Sequence, residues 1–259
     1  KGLKENSIKP RILIVGSGII GKFNAIELSK LGFQITIADP HENKSSSSAA
    51  LGILMGHIYQ KRKGRSWILR DTSNKLWPKW IKFLRHYNNN LCIEKPLIQL
   101  TTNKEKFEKM VKFVAYNPNQ DLQILEKNSN AIKNINKVFN INNLMGIISL
   151  KDGRVDPILL LTALDICIKN KNINLINEEV IKIKQVNNQW IATFKNKLEI
   201  RPDVIVLCNS LNALKLINAK KYNIKLKPVL GQAIEISAND KEINFLSLPN
   251  HFSVNNKNL

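Results

Sequence analysis

The segment from Ile12 to Asp39, ILIVGSGIIGKFNAIELSKLGFQITIAD, limits what this chain can fold into more than any other. An apolar run, Ile12 to Val15, leads directly into Gly16-Ser17-Gly18-Ile19-Ile20-Gly21. A helical pattern follows and stops at Gly32. A second strand-like run, Gln34 to Ala38, then ends at Asp39-Pro40. This is a strand–turn–helix–strand unit whose parts suit a dinucleotide. Gly16 permits the tight turn out of the first strand, and Gly18 lets a pyrophosphate approach a backbone that has no Cβ. Gly21 lets the helix pack closely on the strand. The helix start offers N–H groups without intrahelical partners, and the positive end of its dipole, to phosphate oxygens. Asp39 follows Gly21 by 18 residues, where a carboxylate accepts both ribose hydroxyls and repels a 2′-phosphate.

Forty Lys and Arg against 20 Asp and Glu give the 259-residue chain a net charge of +20, which raises the question of an acidic partner such as RNA or an anionic membrane. The lysines are dispersed. The densest basic run, Lys61-Arg62-Lys63-Gly64-Arg65, is short and has no aromatic ladder beside it. Lys, Asn and Ile are used heavily throughout, as an AT-rich coding sequence produces, so compositional drift is the better reading and nucleic acid the less favoured one. Cys92, Cys167 and Cys208 are far apart and form no CxxC pair. That argues against a disulfide framework or a zinc site and for a reducing cytoplasm. Cys167 and Cys208 lie in apolar runs and read as small core residues. The longest apolar stretch, Ile158 to Ile168, is too short for a bilayer and is interrupted by Asp165. The first residues, KGLKENSIKPR, contain no apolar signal core. Nothing in the sequence sets an oligomeric state.

Beyond Asp39, Ser45 to Gly52 is a run of small residues that passes into Ile53-Leu54. Such a loop can press against a flat ligand, with hydroxyls free for phosphate or ribityl oxygens. Trp67 to Tyr87 reads as an amphipathic helix carrying Ile68, Leu69, Leu76, Trp80 and Leu84, with a kink or break at Pro78 and with Trp77 and Trp80 in the core. Pro96 to Thr101 reads as a strand, Lys104 to Val114 as a helix, and Asn128 to Asn143 as a short helix with loops. Leu144 to Leu150 reads as a strand ending in a turn at Lys151–Arg154. Asp156 and Pro157 suit the N-cap and first position of a helix, Ile158 to Lys169, that is apolar nearly all round and therefore buried. Val180–Val186, Trp190–Phe194 and Leu198–Ile200 form a small meander. Val204–Leu207 reads as a buried parallel strand, Asn212–Ile217 as a helix, and Lys227–Ile236 as a long strand. The meander and the large insertion after Asp39 disfavour an NAD-dependent dehydrogenase, in which strands and helices would keep alternating.

In this order the segments resemble the D-amino acid oxidase family of FAD-dependent oxidoreductases, which includes glycine oxidase and sarcosine oxidase. The resemblance rests on GSGIIG through Asp39, SSSSAALGIL, GRVDPILLLTAL, Val180 at the start of the meander, VIVLCNS and KPVLGQAIEI. It implies an α/β fold, a Rossmann-like FAD-binding domain with a β-meander (1–95 and 145–222). An incomplete α+β substrate domain (96–144 and 223–259) completes it. It places Gly16, Ser17, Gly18, Ile19, Ile20 and Gly21 at the pyrophosphate of FAD and Asp39 and Pro40 at the adenosine. Ser46, Ser47, Ser48, Ala49, Ala50 and Gly52 would run beside phosphates and flavin, Val180 would offer backbone atoms to adenine, and Asn209 and Ser210 would lie against the cofactor. The chain departs from the family pattern at three places. Cys208-Asn209-Ser210 stands where small residues and a glycine are usual, Leu230 stands where many members have Arg, and the sequence ends at Leu259 before the family's C-terminal glycine-rich segment and substrate-carboxylate arginine.

The activity so implied is oxidation of a C–N bond in an amino acid or amine by hydride transfer to flavin, which needs no side-chain acid or base. No catalytic residue is assigned. His57 follows the serine loop but reads as a surface or supporting residue more than a catalytic one, and Arg70 and Arg154 can meet either a carboxylate or an ordinary salt-bridge partner. Two other readings compete. One is a nucleotide-binding fold without turnover, and the other is an FAD-dependent amine oxidase acting on modified tRNA.

Overall fold

The apolar run at the start of the chain becomes β1 (Arg11–Val15), with Ile12 to Val15 all buried, as a central strand covered on both faces requires. The computed structural model describes residues 9–40, 45–217, 223–224, 226–228 and 252–254. After β1 come α1 (Ile19–Lys30), β2 (Gln34–Ala38), β3 (Ile53–Leu54), α2 (Arg65–Leu84), β4 (Leu97–Thr101) and α3 (Lys104–Ala115). Then follow β5 (Leu122–Leu125), α4 (Asn130–Phe139), β6 (Met145–Ser149), β7 (Gly153–Arg154), α5 (Pro157–Asn170) and β8 (Asn174–Ile176). The remaining elements are β9 (Val180–Val186), β10 (Gln189–Phe194), β11 (Glu199–Ile200), β12 (Val204–Leu207), α6 (Ala213–Leu216) and β13 (Phe252–Val254).

The chain forms two compact units, Lys1–Ala50 with Pro157–Ala233 and Leu51–Asp156 with Ile234–Leu259. The changes of unit fall at 50/51, 156/157 and 233/234, where the resemblance implies boundaries at 95/96, 144/145 and 222/223.

In the first unit a parallel sheet runs in the order β12-β1-β2-β8. Helix α1 returns the chain from β1 to β2 and ends at Gly32, whose φ of +80° and N–H to the Ser29 carbonyl (2.9 Å) close it. Lys22, buried on α1, pairs with Asp165 of α5, so the acid that interrupts the apolar run of α5 has a partner. Helix α5 buries Leu160, Ala163, Leu164, Cys167 and Ile168 but exposes Ile158, so it is one-sided and not buried all round as expected. The meander β11-β10-β9 is antiparallel, and both Asn187 (φ 47°) and Asn188 (φ 61°) adopt the left-handed backbone a two-residue hairpin needs. Its inner residues Val180, Ala192 and Phe194 pack with Leu13, Val15 and Ala38.

The second unit is built on the sheet β13-β4-β6-β5. Alternation along β4 and β6 divides its two faces. Leu97 and Ile147 join Met110 of α3 and Ile58 in one cluster. Ile98, Leu100 and Ile148 join Ile132 and Ile135 of α4 in the other. Two expectations fail here and a third is narrowed. Helix α2 continues through Pro78, so the helix does not break there; Pro78 lies on an exposed face where the Asn74 carbonyl left without its helical N–H can be hydrated. Ile68 and Leu69 of the same helix are 64% and 65% exposed, and the buried positions are Ile81 and Leu84, with Trp77 and Trp80 only half-buried. The turn at Lys151–Arg154 contains a strand, β7, that pairs with β3. The long strand read over Lys227–Ile236 lies outside the described residues from Val229 onward.

Candidate cofactor site

The turn between β1 and α1 lies at the carboxyl end of the parallel sheet, where open α/β sheets bind their ligands. Gly16 holds a φ of +104°, and a Cβ there would come within 2.7 Å of the Cys208 backbone carbonyl and 2.9 Å of the Asn209 nitrogen. The turn can therefore pack against the chain leaving β12 only as glycine. A Cβ on Gly21 would collide with the Gly16 carbonyl, so the helix also needs glycine at this contact. Gly18 is different. It has extended backbone (φ −67°, ψ 179°), and its missing Cβ leaves space bounded by the Ser47 hydroxyl at 3.1 Å.

Helix α1 has no side-chain cap of its own from Gly18 and no acid in its first turn. Ser47 supplies a hydrogen bond from outside the helix, as its Oγ accepts the Ile19 N–H at 3.0 Å. The loop that carries it is coiled on itself. The Ser48 hydroxyl donates to the Ser45 carbonyl (2.8 Å), and the Ser48 and Ala49 N–H groups reach the same carbonyl (3.2 Å each). Among the described residues no protein acceptor meets the N–H of Gly18 or of Ile20. The Ile20 side chain is exposed at the helix start.

Asp39 turns toward the glycine turn, and its Oδ2 accepts the Ser17 N–H at 2.7 Å while its own N–H donates to the Ile176 carbonyl. Asp39 is half-buried and Pro40 exposed. A carboxylate has two oxygens and several lone pairs, so it can accept a sugar hydroxyl in addition to a protein donor. On the other side of β1 the Cys208 N–H donates to the Val15 carbonyl (2.7 Å) and carries Asn209 up to Gly16. Burial pushes the Cys208 thiol above its ordinary pKa, although the residue is only half-buried and not a full core residue like Cys167. Ser210 follows with a φ of 54°. The side chain of Val180 belongs to the core, and the residue pairs with Phe194 of β10.

Of the predicted residues, Gly16 to Gly21, Asp39, Ser47 and Asn209 come together around this turn through those contacts. Ser46, Ala49 and Ala50 are exposed on the loop. Gly52 belongs to the second unit, where its φ is +72° and its carbonyl accepts the Val155 N–H at 3.0 Å.

Also in the second unit, the Nδ1 of His57 is bonded to Gln120 Oε1 at 2.8 Å. The Arg154 guanidinium is engaged by Glu94, Asp156 and the Leu51 carbonyl (3.1, 3.2 and 2.8 Å), which makes it a structural tie and not a waiting carboxylate receptor. Arg70 donates to the Met55 carbonyl and lies over the Tyr59 ring at 4.1 Å. Asp152, which the sequence places only in a turn, has a larger part. It is 2% exposed and accepts the N–H groups of Gly56, His57 and Ile58 at 2.8, 2.9 and 2.6 Å. Its partners lie 94 to 96 residues away, so no local pattern marks it. Among the described residues no group of three or more His, Cys, Asp or Glu could hold a metal, and no helix is long and apolar enough to cross a membrane.

A glycine cradle, unpaired helix N–H groups and an inward acid fit a dinucleotide. The family model for FAD-dependent oxidoreductases (DAO) matches residues 11–258. The chain belongs to this family. Its cofactor is FAD. No curated protein matches the chain. Among solved structures, glycine oxidase from Geobacillus kaustophilus is similar with a TM-score of 0.69 at 22% identity, covering 84% of this chain and 60% of that one. Iminodiacetate oxidase from Chelativorans sp. BNC1 (TM-score 0.65, 19% identity) covers 80% of this chain and 57% of its own. L-proline dehydrogenase from P. horikoshii (0.61, 17%) covers 85% and 57%. These likenesses show a shared fold, and the chain spans about 60% or less of the length of each.

Proposed function

We propose that this chain holds FAD on the β1–α1 turn and serves the oxidation of a C–N bond in an amino acid or amine. The observation that carries the reading is the turn itself. Gly18 leaves the backbone open beside a helix start with unpaired N–H groups, and Asp39 faces the same turn at 2.7 Å from Ser17. When bound, FAD supplies the acceptor for a hydride leaving the carbon that bears nitrogen. The protein's part is to bind and orient. The N–H groups of Gly18 and Ile20 take phosphate oxygens, assisted by the helix dipole. Ser47 has a hydroxyl hydrogen left after accepting from Ile19, so it can donate to a phosphate oxygen without giving up the helix. Asp39 takes a ribose hydroxyl and excludes a 2′-phosphate. We assign Pro40, Ser46, Ser48, Ala49, Ala50, Gly52, the Val180 backbone, Asn209 and Ser210 to the surroundings of the cofactor. The resemblance to oxidases of glycine and iminodiacetate and to a proline dehydrogenase supports a small amino acid or amine as substrate.

The test is the visible spectrum of the purified chain with and without added FAD, followed anaerobically during addition of glycine, iminodiacetate or proline. Bound yellow flavin that one of these bleaches is the expected result. Failure to retain or bind FAD overturns the reading, and bound flavin that none of the three reduces removes the proposed substrate class.

A further inference from the structure

Among the described residues only two buried side-chain polar atoms lack a hydrogen-bond partner, Arg70 Nε and Asn209 Oδ1. Arg70 is held by the Met55 carbonyl and the Tyr59 ring, so its unpaired nitrogen belongs to a group already engaged. Asn209 lies at the glycine turn, its backbone nitrogen 2.9 Å from where a Cβ on Gly16 would be and its carbonyl accepting the Asn212 N–H at 3.2 Å. A buried acceptor without a donor destabilises a protein, and alanine at 209 would avoid the loss.

The strand order indicates which donor is missing. β12 and β2 flank β1 on opposite sides, so Asn209 and Asp39 stand at carboxyl ends on either side of the turn. A dinucleotide on such a sheet runs along the carboxyl ends of the strands. With its pyrophosphate at the turn and its adenosine ribose at Asp39, its other half departs over β12. In FAD that half begins with the ribityl arm, whose hydroxyls are hydrogen-bond donors. We infer that Asn209 Oδ1 accepts a hydrogen bond from a ribityl hydroxyl of FAD, so that this asparagine reads the flavin half of the cofactor. The inference rests on the turn holding FAD. It assigns a specific contact to a position where the family pattern has a small residue.

The experiment compares the wild-type chain with Asn209→Ala, titrated with FAD by flavin fluorescence and with ADP, which lacks the ribityl arm, by calorimetry. Loss of one such bond corresponds to weakening of FAD binding by roughly tenfold. ADP affinity should stay within about twofold of wild type, and the thermal midpoint of the ligand-free variant should equal or exceed that of wild type, because an unsatisfied buried acceptor is gone. FAD affinity equal to wild type, or equal weakening for both ligands, overturns the assignment. If Asn209→Ala loses the fold, Asn209→Gly puts the same question under the same criteria. A wild-type chain that binds neither ligand removes the reading of the turn, whereas a wild type that binds both while the variants match it removes Asn209 alone.

Discussion

Two glycines two positions apart in the same fingerprint do different work. At Gly16 any side chain meets the Cys208–Asn209 backbone and also inherits a φ of +104°, so Gly16→Ala acts on folding. At Gly18 the backbone is extended and, among the described residues, the only atom close to an added Cβ is the Ser47 hydroxyl, so a valine there intrudes on ligand space first. Gly18→Val should therefore keep its unfolding midpoint near wild type while losing bound FAD, and Gly16→Ala should lower the midpoint. Chemical denaturation and flavin stoichiometry measured on both proteins check this, and the reverse pattern contradicts it. Asp39 likewise serves both the fold and the ligand. It holds the Ser17 N–H, and the proposed ribose contact shares the same carboxylate. Asp39→Ala should weaken FAD by about 1–3 kcal/mol and also destabilise the ligand-free turn by about 1 kcal/mol. A titration together with a melt separates the two losses.

The strand-to-helix unit, the meander, β4, α3 and β6 could all be read from sequence because their signals are local: apolar runs, helical spacing, and asparagines in left-handed turns. The elements that could not be read draw their order from distant partners. β8 is a three-residue edge strand placed by β2, and β3 and β7 are two residues each and exist only as a pair. Ile68 and Leu69 gave α2 an apolar face that the fold leaves exposed, because Ile81 and Leu84 set its orientation. The cofactor turn was readable for the same local reason, whereas the orphaned acceptor of Asn209 depends on what surrounds it. The clearest long-range device is the tie between the β7 region and the segments on both sides of β3. Asp152 accepts three N–H groups, Val155 donates to the Gly52 carbonyl, and Arg154 holds the Leu51 carbonyl. Asp152→Ala strands three buried or half-buried donors and should cost about 3 kcal/mol, a large value for one substitution. Urea unfolding measures it. A loss below about 1 kcal/mol would mean that water replaces the carboxylate at that turn.

The charge of +20 belongs to the molecule as a whole, and its layout bears on the tRNA reading. Several cations are already matched on the surface: Arg11 with Asp203, Lys30 with Glu27, Lys75 with Asp71, Lys109 with Glu105 and Lys151 with Asp121. These pairs fall in both compact units, and the lysines are dispersed along the sequence, so no single segment concentrates the excess charge. Binding to RNA then comes from counterion release without base readout, and its strength falls steeply with salt. The expected outcome is measurable affinity for tRNA at about 50 mM salt that drops at least a hundredfold by about 200 mM, with an unrelated RNA of the same length behaving alike. FAD, held by a short set of contacts at one turn, should bind with little dependence over the same range. Filter binding for the RNAs and flavin fluorescence for the cofactor give the comparison. A tRNA affinity that survives 200 mM salt and exceeds that of the control RNA would show that the basic surface is organised for a nucleic-acid substrate, and the oxidase reading would then have to move from free amino acids to a base on RNA.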